Sequence, residues 1–265
     1  MCGIIGFIGK ENTKKRLIEG LKRLEYRGYD SSGMALLDRS FFQFEKAVGR
    51  VKELEKRIES LEDAPVGIAH TRWATHGAVN LDNAHPHTSN DGRFIIVHNG
   101  VIDNYKELIS DFLKDIPLKS ATDTEVIANL LMIHMNDLSY DEALQKTLQS
   151  LKGSYALVIM DTLYPDTLVV AKNKSPLIVG KQDDEVMIAS DVLALAGHVN
   201  QIHILDDTHF MKIQATEQTL YNLDLNILPT KFDAFDLDPV QSERGNYSHF
   251  MLKEIAEQPE VLKRL

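Results

Sequence analysis

The sequence predicts an α+β fold, with layered antiparallel sheets and helices on the outside. Three observations lead there. Strand-like runs dominate both halves of the 265-residue chain. Two amphipathic stretches, at about 121–135 and 140–151, arrive as a pair rather than alternating with strands. After Gly153, six apolar runs (YALVIMD, TLVVAK, PLIVG, EVMIAS, QIHIL and HFMKI) follow one another across Pro, Asp, Asn and Gly. That order is a poor match for a regular βαβ parallel sheet.

Residues 4–8 read as a strand. Asn12 or Thr13 is placed to cap a helix running to about Leu24, with Leu17, Ile18, Leu21 and Leu24 on one face. Residues 52–61 read as a second, mostly solvated helix. The segments GIAHTRWA at 67–74 and FIIVH at 94–98 read as buried strands. In ATDTEVIANLLMIHM, Thr122 and Glu125 have capping-box spacing ahead of a helical apolar pattern. A short helical stretch near 192–197 interrupts the later strands. Residues 228–247 are polar, acidic and rich in turn residues, as in a linker, and HFMLKEIAEQPEVLKRL then opens another helical pattern.

Composition bounds the function. A net charge of −10 argues against a nucleic-acid partner, which needs a basic surface to meet phosphates. The chain has one cysteine, so an intrachain disulfide and a thiolate-rich metal site are excluded. No segment approaches the roughly 18 consecutive apolar residues of a membrane helix. The apolar start, CGIIGFIG, precedes its basic residues instead of following them, unlike a signal peptide. A cytoplasmic protein with a reduced thiol, no membrane partner and no cofactor is the expectation.

Four clusters could carry chemistry, and each has a structural reading beside the functional one. Cys2 follows Met1; with Met1 removed, its thiol and its own α-amine lie on adjacent atoms. That amine has an ordinary pKa of about 7.7–8.0, so part of it is neutral and able to act as a base. The plain reading is an incidental cysteine. In HTRWATHG at 70–77, Arg72 presents a planar fork suited to a carboxylate, or pairs with a nearby acid at a strand end. Asn99 and Gly100 read as a tight hairpin turn, or as two convergent oxyanion donors, and the two readings are compatible. Asp123 is a helix-start carboxylate that could also receive an ammonium. His85 and His87, with His70 or His98, lack metal-motif spacing and read as core or surface residues, so no metal site is expected. The loop RGYDSSG at 27–33 lacks both the P-loop and the dinucleotide-binding pattern.

Taken in order, CGIIGFIG, LEYRGYDSSG, GIAHTRWATHG, NAHPH, VHNG and TDTEVIA resemble the glutaminase domain of the glutamine–fructose-6-phosphate aminotransferases over about the first 200 residues. RGYD at 27–30 separates this chain from relatives that have RGQD or RGPD there. The resemblance implies a class II glutamine amidotransferase with the N-terminal nucleophile hydrolase fold, a four-layer αββα sandwich of two antiparallel sheets. It implies Cys2 as nucleophile, Asn99 and Gly100 as the oxyanion hole, and Arg72 and Asp123 on the carboxylate and ammonium of L-glutamine. Thr75 and His76 would lie in the loop closing over substrate, and Trp73 would gate ammonia passage. Departures are SSG at 31–33, where the family usually has SAG, and the loop VNLDN at 79–83.

The implied organisation is a glutaminase domain at 1–240, followed at 241–265 by a linker and the start of a sugar isomerase domain. The family's ammonia goes to fructose 6-phosphate, and the full-length enzyme is a homo-oligomer. The alternatives are the glutaminase of another class II amidotransferase, and a glutamine-binding module without turnover.

Overall fold

The computed structural model describes residues 2–39, 41–74, 77–237, 245–248 and 250–264. Two antiparallel sheets lie face to face. The first has the order β15 (Asp233–Ala234), β11 (Gln201–Ile204), β9 (Ile178–Gln182), β10 (Glu185–Ala189), β1 (Gly3–Ile8), β4 (Val66–Arg72), β2 (Ser31–Asp38), β3 (Phe41–Val48), and the second β14 (Ile227–Leu228), β13 (Gln218–Asn222), β12 (His209–Ile213), β8 (Leu168–Asn173), β7 (Gly153–Asp161), β6 (Phe94–Ile102), β5 (His87–Thr88). The strands that matter for the site are β1, β2, β4, β5, β6 and β7.

Strand alternation sorts these sequences into layers. In β1, Ile4 and Ile8 face the second sheet, while Ile5 and Phe7 face α1 (Thr13–Leu24). In β6, Ile95 and Val97 face the first sheet, while Phe94 and Ile96 lie under the helices α3 (Tyr105–Phe112), α4 (Asp123–His134) and α5 (Tyr140–Ser150). The result is helix, sheet, sheet, helix, with apolar cores at all three interfaces. The sandwich of two antiparallel sheets expected from the motifs is therefore the observed architecture. Because the central strands are covered on both sides, they read as continuous apolar runs. Each fully buried Ile or Val contributes on the order of 1.5–3 kcal/mol, more than a typical helix cap at about 1 kcal/mol. Sheet packing thus sets the positions of the helices.

Several local expectations need correction. Asn12 adopts a left-handed conformation and makes no side-chain cap; Asp63 instead accepts the Lys14 N–H at 2.9 Å. Residues 31–33 belong to β2, not to a loop, and β2 pairs along its length with β3 (Phe41–Val48). The helix expected at 52–61 is α2 (Val51–Arg57) plus a 3-10 turn, and that near 192–197 is a 3-10 turn over Val192–Ala194. The stretch expected as a linker begins inside the fold. Ile227 and Leu228 pair with β13 (Gln218–Asn222), Asp233 and Ala234 pair with β11 (Gln201–Ile204), and Phe232 and Phe235 pack on two of the cores. A further helix, α6 (Phe250–Arg264), carries the helical pattern of the tail. The expected boundary at 240/241 lies outside the described residues. Among the described residues, no helix is long and apolar enough to cross a membrane.

Candidate active site

One end of the sandwich carries the chemistry, and side-chain parity puts it there. Counting back from Ile4 in β1 and on from Ile68 in β4, Cys2, His70 and Arg72 share the inner face of the first sheet. Asn99, two residues beyond Val97, shares the inner face of the second. The two sheets present these groups to each other.

Cys2 precedes β1 opposite the end of β4, where the Trp73 N–H donates to Sγ at 3.3 Å. Burial pushes the thiol pKa above its ordinary value, against the Trp73 hydrogen bond and the nearby Arg72 charge, which pull it down. A thiol held protonated needs a base before it can act as a nucleophile.

Arg72 ends β4. Its guanidinium donates to the Ala78 carbonyl at 3.3 Å, and burial lowers its pKa while Cys2, Asp30 and Asp123 oppose the shift. The side chain of Asn83 extends this link. Its Nδ2 donates to the same Ala78 carbonyl at 2.9 Å, and its Oδ1 accepts the Ala121 N–H at 2.9 Å. One asparagine thus ties the loop after Gly77 to the segment just before α4. Trp73 is 43% exposed at the rim, edge-on to Tyr29 with ring centres 5.4 Å apart. Thr75 and His76 lie outside the described residues.

Asn99 and Gly100 do not form a hairpin turn. They sit inside β6, paired with Ala156 and Tyr155 of β7. Gly100 has φ +137°, and a Cβ there would stand 2.0 Å from the Ser154 carbonyl oxygen, so only glycine fits. Asn99 Nδ2 donates to the Cys2 carbonyl at 3.1 Å, and the site is linked across the sheets by that bond.

Asp123 begins α4, and its Oδ2 accepts the Ile102 N–H at 2.8 Å. The expected capping box is not made. Glu125, almost fully buried, takes the Lys119 and Ser120 N–H groups at 2.8 and 2.6 Å, and Thr122 Oγ1 meets His87 Nε2 at 3.1 Å. Cys2, Arg72, Trp73, Gly100, Thr122 and Asp123 line one small pocket, together with His85, His98 and Thr124.

Other residues complete the arrangement without having been singled out by sequence. Asp30 Oδ2 accepts the Ala74 N–H and its own N–H donates to the Arg72 carbonyl, each at 2.9 Å. Gly28 packs so closely on Arg72 and Trp73 that a Cβ would come within 2.8 Å of their backbone. The RGYD loop is therefore a clamp on 72–74, and its glycine and acid were the available signal. The four histidines do gather: the His70 and His85 rings stack at 4.0 Å, and His85 meets His87 edge-on at 4.8 Å. Burial lowers the pKa of all four, that of His70 to about 3. Stacked, neutral rings do not converge their nitrogens on one point. Among the described residues, no group of three ligating side chains could hold a metal ion.

Comparison with known proteins gives the family and the fold. The glutamine amidotransferase domain family matches residues 56–244. Glutamine–fructose-6-phosphate aminotransferases of Staphylococcus aureus and Geobacillus kaustophilus are each 45% identical to all of this chain, over 44% of their own length. The chain thus spans under half the length of these curated relatives. Among solved structures, glutamine phosphoribosylpyrophosphate amidotransferase from B. subtilis aligns over 85% of this chain and 50% of its own, at 24% identity and a TM-score of 0.73. A structure described as the allosteric regulatory enzyme of purine biosynthesis aligns over the same shares at 24% identity, with a TM-score of 0.75. These two support the fold alone, the N-terminal nucleophile hydrolase sandwich. On the sequence match, the chain belongs to the glutamine amidotransferase domain family.

Proposed function

We propose that this chain hydrolyses L-glutamine to L-glutamate and ammonia through a thioester at Cys2. The observation that carries the reading is the single pocket shared by Cys2, Arg72, Gly100 and Asp123. A cation and an anion beside a thiol suit a free amino acid, whose carboxylate and ammonium need opposite partners.

In this reading, removal of Met1 exposes the Cys2 α-amine, which takes the thiol proton as sulfur bonds to the side-chain amide carbon. The oxyanion is stabilised by Asn99 Nδ2 and the Gly100 N–H. The C–N bond then breaks, the proton passes to the leaving nitrogen, and ammonia departs. Water attacks the thioester through the same oxyanion site, releasing glutamate and restoring the thiol. Arg72 holds the substrate carboxylate and Asp123 its ammonium. Thr75 and His76 close over the substrate, and Trp73 gates ammonia exit.

The resemblance to the sugar aminotransferases extends the proposal. In the full-length protein, ammonia would convert fructose 6-phosphate to glucosamine 6-phosphate, in a cytoplasmic homo-oligomer. We place the domain boundary near 240, where the family match ends at 244 and the sheets have closed. The test is ammonia release from L-glutamine by the purified chain. Activity should disappear in Cys2→Ala, and a Cys2→Ala protein as active as its parent contradicts the mechanism. Folded protein with intact Cys2 but no turnover would instead mark a glutamine-binding module.

A further inference from the structure

We propose that His70 is a positioning residue for the oxyanion site: its Nε2–H locks the Asn99 carboxamide so that the NH2 group faces Cys2. The proposal rests on the glutaminase reading and adds to it a residue that touches neither substrate nor nucleophile.

One atom beside His70 has a hydrogen-bonding role that cannot change. The His98 backbone oxygen, which can only accept, lies 3.1 Å from His70 Nε2. Nε2 must therefore carry the proton. The same nitrogen is 3.0 Å from Asn99 Oδ1, so the side of the carboxamide turned to His70 is its oxygen. The NH2 is then on the opposite side, where Nδ2 donates to the Cys2 carbonyl at 3.1 Å. A second fixed acceptor thus demands the same orientation from the other end. Asparagine amides turn readily about their last bond, and a turned Asn99 would present an oxygen to a developing oxyanion, repelling the charge it should stabilise.

His70 is built to hold this state. The ring is fully buried, it stacks on His85 at 4.0 Å, and His70 is paired with Ile4 and Gly33 on either side. Gly33 lacks a Cβ because the His85 carbonyl comes within 2.0 Å of where one would stand. The His85 imidazole is itself held as acceptor of the His98 N–H at 3.3 Å. Burial keeps His70 neutral, with its pKa near 3, so it stays a one-proton donor across any working pH. Its Nδ1 has no hydrogen-bond partner among the described residues and is not required by the chain of contacts.

The experiment compares His70→Phe, His70→Gln and Asn99→Ala in steady-state glutamine hydrolysis, with Cys2→Ala as the control for the reaction itself. His70→Phe keeps an aromatic ring but no donor. It should lower kcat by about 10–100-fold, part of the 10²–10³ that loss of an oxyanion donor costs, with KM within about threefold. His70→Gln restores an N–H and should recover most of kcat. In the Asn99→Ala background, His70→Phe should cost little more, because the group it orients is gone. A wild-type kcat for His70→Phe, full additivity with Asn99→Ala, or no recovery in His70→Gln overturns the proposal. Nitrogen NMR of wild-type protein gives a test that survives misfolding of every variant: the proton must sit on His70 Nε2, and a proton on Nδ1 overturns the proposal. Activity retained in both Cys2→Ala and Asn99→Ala would strike the glutaminase reading itself, whereas loss in those two with His70→Phe unaffected strikes only the role of His70.

Discussion

Helices α4 and α5 pack against each other and start with similar sequences, Thr-Asp-Thr-Glu at 122–125 and Ser-Tyr-Asp-Glu at 139–142. The second start closes on itself: Glu142 reaches back to the Ser139 N–H at 3.0 Å, completing a reciprocal cap. At the first, every polar group is sent elsewhere. Thr122 goes to His87, Thr124 to His98 at 2.9 Å, Asp123 to Ile102, and Glu125 to the backbone of 119 and 120. The α5 start serves only the helix. The α4 start gives up its local cap to fix a carboxylate in the pocket beside Cys2. Such a departure from local consistency is where a functional site is expected to lie.

The contrast breaks most visibly at Asp123. Asp123→Asn keeps an oxygen for the Ile102 N–H but removes the charge. We expect kcat/KM for glutamine to fall about 10²–10³-fold, the cost of truncating one partner of a buried charge pair, with thermal unfolding little changed. Initial-rate kinetics beside a melting curve measure both; unchanged kinetics would remove the ammonium-binding role.

Acid should separate the two helix starts next. His87 and His98, both hydrogen-bonded to the α4 start, have pKa values depressed by burial below the usual 6.5. A depressed histidine stabilises the fold fully above its unfolded pKa and progressively less as pH falls below it. Glu142 is also depressed, by its Ser139 hydrogen bonds, but from an ordinary 4.5, so its contribution is lost only below that value. Amide exchange should therefore show the N–H groups of 123–126 losing protection at a higher pH than those of 140–143. The reverse order would contradict the assignment of neutral, load-sharing histidines behind α4.

The smallest effect belongs to α5. Ser139→Ala should lower Tm by about 2–4 °C, as expected for about 1 kcal/mol in a chain of this size, and leave glutamine hydrolysis intact. A matching loss of activity would mean that the two starts are not functionally distinct.

These cases also explain what could be read from the sequence. Cys2, Arg72 and Asp123 could be read as candidates because each residue type states its own chemistry, and the apolar runs stated the layers. Asn99 and Gly100 looked like a turn because a short Asn-Gly signal carries no knowledge of β7, whose pairing keeps them in a strand. Glu125 looked like a local cap because its real partners come from a loop that doubles back. Residues 27–33 looked like a loop because the clamp on 72–74 exists only once β2 lies beside β4. Long-range pairing decided each of these, and spacing along the chain does not encode it.

The central claim is that an N-terminal Cys2 is the nucleophile. The intact mass of active protein, taken before and after reaction with a glutamine-like electrophile, tests it most directly. The account predicts a chain lacking Met1 that gains one adduct, located at Cys2, with activity lost in proportion. Full activity in protein that retains Met1, or an inactivating adduct at any other residue, would contradict it.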